Sequence, residues 1–217
     1  VTKKTHQNTG GITMRALVRA GQILASAAAA AALTVSVTGV AAASTTVVQT
    51  STPVTATSNY LSITAGSHYL ECYTVSGSGT TPAAGSNVNA GTGGIDIPIS
   101  SVNLSNCYLD GFTAATVTAT QPWKINVSAD SGSPKGSLIM PDNSATVTAG
   151  TCSITLMQSN IGPLPYSKPN VTASSSPGIT FLSNGVGSYC PPATGSTPAA
   201  GNLTGTLTFS PGIDVTT

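Results

Sequence analysis

From Trp123 onward the apolar and polar positions alternate without a slip. Trp123, Ile125, Val127 and Ala129 share one parity, and Lys124, Asn126, Ser128 and Asp130 share the other. A strand points successive side chains to opposite faces, so the pattern predicts a half-buried strand with Trp123 as the core anchor. Related patterns recur on both sides. Residues 45–57 alternate loosely and read either as a first strand or as a flexible leader. Residues 60–64 and 68–75 read as strands, with Leu70 and Cys72 on one face. Residues 95–99 alternate cleanly, with Pro98 arguing for an edge or bulge because it cannot donate to a ladder. After Ser100 and Ser101 the apolar parity passes to Val102 and Leu104, which predicts a bulge. Further strands are predicted at 137–140, 145–149, 152–157, 171–173 and 179–182, and from Leu203 through Phe209 toward Ile213 and Val215.

Glycine, proline, serine and asparagine punctuate these runs. They predict a long loop at 76–94, a turn at 106–111 pinned by Cys107, a turn at 131–136, a proline-rich connection at 162–169 and a loop at 191–202. No segment after Ser44 carries a helical period. Many short strands with such turns predict an all-β fold, a disulfide-braced antiparallel β-sandwich that is immunoglobulin-like only in the loose sense. Two short echoes, Thr81–Gly85 with Thr197–Gly201 and Ser176–Ile179 with Ser210–Ile213, raise a duplicated half-domain as an alternative to chance similarity among low-complexity loops.

The first 43 residues follow a different logic. Arg15 and Arg19 precede an apolar and small-residue run from Ile23 to Val40, and Ala41, Ala42 and Ala43 stand before Ser44. A charged start, an apolar middle and small residues at the end make a secretory signal peptide, helical, with cleavage near Ala43/Ser44. The rival reading is a membrane anchor of similar length. Residues 1–13 read as an upstream extension, with Met14 as the start. The expected organisation is therefore 1–43 as extension and signal peptide and 44–217 as a single secreted β-sandwich domain, with no membrane span after processing.

Removing residues 1–43 changes the charge. Residues 44–217 keep three lysines and no arginine against six acids, a net charge of −3. Nucleic-acid binding depends on clustered cations that displace phosphate counterions, so that class is excluded, as is attraction to an anionic membrane surface. Cys72, Cys107, Cys152 and Cys190 all fall in this part. In an exported chain they read as two disulfides, for which three pairings are possible; Cys72–Cys107 with Cys152–Cys190 is preferred, because each closes a loop to one side of the Trp123 strand. A zinc site would call for close cysteine spacings with histidine beside them, which are missing, so no metal or other cofactor is expected.

Leu70-Glu71-Cys72, the glycine-rich loop, Val102–Cys107 and Thr116–Asn126 with its W-x-I-N step resemble a group of secreted actinobacterial β-domain proteins of unknown function with four cysteines. The resemblance covers roughly residues 70–210. It implies a secreted β domain with paired cysteines and carries no activity, cofactor or ligand with it.

Candidate chemistry is sparse. His68 is the one histidine after Ser44, and no nucleophile motif accompanies it, so a strand position beside Tyr69 is its expected role. Asp110, Asp130 and Asp142 read as turn residues, and Asp130-Ser131-Gly132 and Asp142-Asn143-Ser144 fall short of a calcium loop. Tyrosines are the remaining lead, since an amphipathic ring stacks on sugars or peptides at low entropy cost. Tyr60, Tyr69, Tyr73 and Tyr166 are the candidate ligand contacts; Tyr108 and Tyr189 adjoin cysteines and are expected to cover the disulfides. The function expected is a non-enzymatic secreted or envelope-associated protein that is structural, adhesive or ligand-binding, with cell-wall polysaccharide or another extracellular surface as partner. The alternatives are a small secreted hydrolase using a carboxylate pair and a small-molecule carrier.

Overall fold

A computed structural model describes residues 44–129 and 133–217. The predicted signal peptide, Asp130 and the first two residues of the predicted 131–136 turn lie outside the described residues, and the last two residues of that turn, Lys135 and Gly136, are strand. Among the described residues, fifteen strands follow one another without a helix: β1 (Thr45–Val47), β2 (Pro53–Ser58), β3 (Leu61–Ala65), β4 (His68–Thr80), β5 (Val88–Asn89), β6 (Ile95–Leu109), β7 (Thr113–Ala119), β8 (Trp123–Ser128), β9 (Lys135–Met140), β10 (Ala145–Ala149), β11 (Cys152–Leu156), β12 (Ser159–Ser167), β13 (Asn170–Ser183), β14 (Ala199–Ser210) and β15 (Val215–Thr216). The fold is all-β, antiparallel and braced by the disulfides Cys72–Cys107 and Cys152–Cys190. No helix among the described residues is long and apolar enough to cross a membrane.

Four long strands organise the rest. β4 lies beside β6 over most of its length, and β13 beside β14. The second half of β4 and the first half of β6 join β8, β9, β12, the first half of β13, the second half of β14 and β2 into one closed ring. The other halves of the same strands join β7, β10, β11 and β3 into a second ring. Every strand of this main sheet therefore has a partner on both sides, which removes the exposed edges that promote aggregation. A small sheet, β5-β1-β15, packs on β6 and β8.

Each ring is filled by alternate side chains. Val54, Ile97, Ile125, Val127 and Met140 point into the first ring beside Trp123, which is 5 % exposed. The indole nitrogen donates to the carbonyls of Thr120 at 2.9 Å and Ser144 at 3.2 Å, so its one polar atom is satisfied inside. Leu70, Leu109, Val147, Ile154, Leu156 and Phe181 fill the second ring with both disulfides. Cys72 and Cys107 sit directly opposite each other on neighbouring strands, whereas Cys190 ties the 184–198 loop to β11.

Several expectations are corrected. Residues 45–57 hold two strands, β1 and β2. Residues 76–80 and 106–109 are strand rather than loop or turn; Asn106 takes a φ of 55° within β6 and lets the strand continue. The expected bulge is present, with the register slipping between Ser78 and Gly79 opposite Ser101 and Ile99. The connection at 162–169 contains most of β12, because Pro163 falls where the β9–β12 ladder is interrupted and needs no donor there. Residues 171–173 and 179–182 belong to one strand, β13, whose register shifts twice where it passes from one ring to the other.

The Thr-Pro-Ala-Ala-Gly echoes take different positions relative to their strands. The first Thr-Pro-Ala-Ala-Gly leaves β4, and the second leads into β14. The topology nonetheless repeats: β2-β3-β4-β6 and β11-β12-β13-β14 are each two short strands and a long hairpin. In both, the second short strand pairs with the start of the first long strand and the first short strand with its end.

Candidate functional site

On β4 the residues that alternate with buried Leu70 and Cys72 face outward, which puts Tyr69, Glu71 and Tyr73 on the exterior of the second ring. Pairing brings neighbours to both flanks. Glu71 stands opposite Ser62 of β3 and Tyr108 of β6, and Tyr60 precedes β3. The Tyr60 hydroxyl donates to one oxygen of Glu71 at 2.8 Å, and the Tyr73 hydroxyl donates to the other at 3.0 Å. The Tyr60 and Tyr73 rings lie 5.8 Å apart, and Tyr73 meets Tyr108 nearly edge-on at 6.3 Å, both within the range of favourable aromatic pairs. The hydrogen bonds to Glu71 raise the pKa of both phenols, with smaller contributions from burial and from the carboxylate charge, so they remain neutral donors. Beyond Tyr69, the β6–β7 turn brings Gly111 against the Tyr69 hydroxyl and Glu71 and projects Phe112, 75 % exposed.

A shallow groove of about 340 Å³ adjoins Tyr60. It is lined by Thr57, Ser58, Asn59, Thr206 and Thr208, so hydroxyl and amide groups dominate it. The interior is different. An apolar cavity of about 30 Å³ beside Trp123 and another of about 10 Å³ in the second ring have room for at most a few water molecules.

The four tyrosines expected as contacts are divided. Tyr60 and Tyr73 are exposed and Tyr69 adjoins them, but Tyr166 is buried to 8 % exposure, with its hydroxyl donating to the Ile213 carbonyl. It belongs to the core, not to the surface. Tyr108 takes the opposite correction: being next to Cys107 in a strand, it points away from the disulfide and joins Tyr73. Tyr189 packs over Gly150, two residues from Cys152. Glu71 and Phe112 were not singled out from the sequence. The alternation with Leu70 and Cys72 already put Glu71 on the face of Tyr69 and Tyr73, and was the signal available for it.

The carboxylates among the described residues lie with separate partners. Asp110 accepts from His68 at 2.8 Å and from the Tyr69 amide at 3.0 Å, tying the β6–β7 turn to the start of β4. Among the described residues no serine or threonine hydroxyl bonds to His68. Burial works against the charge on Asp96, but hydrogen bonds from Asn126 and Lys124 outweigh it and hold that carboxyl below its usual range. Asp214 pairs with Lys168 and Gln49, and Asp142 caps the amide of Asn143. Ser144 turns inward to the Leu156 carbonyl, and no cluster of metal-binding side chains occurs among the described residues.

Fold and surface together define a class: an all-β, antiparallel, two-disulfide protein that presents a tyrosine–carboxylate face beside a polar groove. Comparison of the chain with protein-family models, with curated proteins and with solved structures finds no match.

Proposed function

We propose that this is a non-catalytic exported protein that works at or outside the cell envelope by binding a ligand on its surface, with Tyr60, Tyr73, Tyr108 and Glu71 as the contact face. One observation carries the reading: the exposed aromatic side chains Tyr60, Tyr73 and Phe112 belong to one region of the second ring, gathered around or beside a single carboxylate. Exposed aromatics cost solvation and are concentrated where a partner covers them. Two disulfides fit an oxidising compartment, and the charged start, apolar run and Ala-Ala-Ala before Ser44 fit export. The separate partners of the described carboxylates favour binding over acid–base hydrolysis, and the small interior cavities favour a surface ligand over an enclosed one.

Sedimentation of the labelled protein with isolated cell wall, chitin and cellulose tests this. Retention on at least one polysaccharide is expected, falling several-fold on Tyr60→Ala combined with Tyr73→Ala. Failure to bind across the panel, or binding indifferent to both substitutions, would remove the reading.

A further inference from the structure

We infer that the tyrosine–carboxylate face takes a protonated amine, carried on an amino-sugar polymer; the inference rests on the surface-binding reading above. Among the described carboxylates, Glu71 is the one that accepts hydrogen bonds from tyrosine hydroxyls. Asp96 and Asp214 pair with Lys124 and Lys168, and Asp110 with His68, whereas among the described residues Glu71, like Asp142, has no lysine or histidine partner. Its two oxygens accept one tyrosine hydroxyl each, and a carboxylate offers about four acceptor positions, so it can still accept further donors. The hydroxyl donors a neutral sugar would bring are already supplied by Tyr60 and Tyr73. What the site lacks is a positive charge.

The rings supply the same preference. The faces of Tyr60, Tyr73 and Tyr108 are electron-rich and attract a cation placed over them, in addition to its attraction to Glu71. The net charge of −3 over residues 44–217 adds long-range attraction of the same sign. A sugar carrier is favoured over a peptide on two grounds. The adjoining groove presents Thr57, Ser58, Asn59, Thr206 and Thr208 rather than apolar side-chain pockets. Every strand of the main sheet, which carries the face, is already paired on both sides, so a peptide has no open edge to extend beside it.

The experiment compares two ligands that differ only at nitrogen, a glucosamine hexamer and an N-acetylglucosamine hexamer, by calorimetric titration of the intact protein at low ionic strength. The glucosamine hexamer is expected to bind roughly tenfold more tightly, as an exposed ion pair combined with cation–π contact allows, and the preference is expected to shrink with added salt. Glu71→Gln, which keeps the shape and a hydrogen-bonding head, is expected to abolish the preference with little change in melting temperature. Tyr73→Ala is expected to weaken both hexamers. Equal binding of the two, or a preference that survives Glu71→Gln, overturns the amine inference and leaves surface binding standing. Binding of neither overturns the amine inference, and polysaccharide retention then decides the broader reading.

Discussion

The Tyr166 phenol lies in the core and donates to the Ile213 carbonyl. Burial, helped by the nearby Asp214 carboxylate and opposed by the bond to Ile213, pushes its pKa up to about 12. The folded state therefore keeps this proton where the unfolded chain, with an ordinary value of 10.0, loses it. The stabilisation is complete below pH 10 and is lost as pH rises from there toward 12. Ultraviolet titration should show one phenol ionising last, together with unfolding, and Tyr166→Phe should remove that late step. The same substitution leaves a buried carbonyl without its donor and is expected to cost about 1–2 kcal/mol in denaturant unfolding. Tyr73 shows how little residue type says alone: the same side chain on an outward position of β4 becomes a surface donor to Glu71.

Strand boundaries were legible where alternation was clean and the flanking turns were short. The expected strand at 145–149 coincides with β10, and that at 152–157 differs from β11 only by Met157. They were illegible where a long strand changes ring. There the chain bends through Ser175 and Gly178, which take φ values of 53° and 118°, and a bend of that composition reads locally as a loop. The close approach of β14 to β3 is another such place. An ideal Cβ added to Gly201 would come within 2.4 Å of the Thr64 carbonyl oxygen, which is backbone and cannot swing aside. Gly201→Ala is therefore expected to destabilise the protein by about 2–3 kcal/mol, measured by denaturant unfolding. A cost below about 0.5 kcal/mol would mean that β3 and β14 are not held at this spacing.

At the scale of the molecule, β4, β6, β13 and β14 each pass through both rings, so neither ring can lose its strands without opening the other. Unfolding is expected to be a single transition. Trp123 fluorescence, which reports the first ring, and amide exchange of β10 and β11 in the second should give the same midpoint in denaturant. Separate midpoints would show that the long strands do not couple the rings. Sequence-distant pairings, such as β2 with β14 and β3 with β14, also predict slow folding.

Alternation, turn residues and cysteine count are local properties, and they were enough to establish an all-β antiparallel body, the Trp123 anchor and the two disulfides. The outward parity of Tyr69 and Tyr73 was readable for the same reason, since a strand's period of two fixes which side chains share a face. Ring closure was not readable, because it depends on pairings between segments as much as 155 residues apart, for which a single sequence carries no local signal. Burial of Tyr166 against Ile213 and assembly of Tyr60, Tyr73 and Tyr108 around Glu71 were not readable either, the second needing the register of β3, β4 and β6. Each brings together side chains from different strands, and only the register of those strands decides which of them meet.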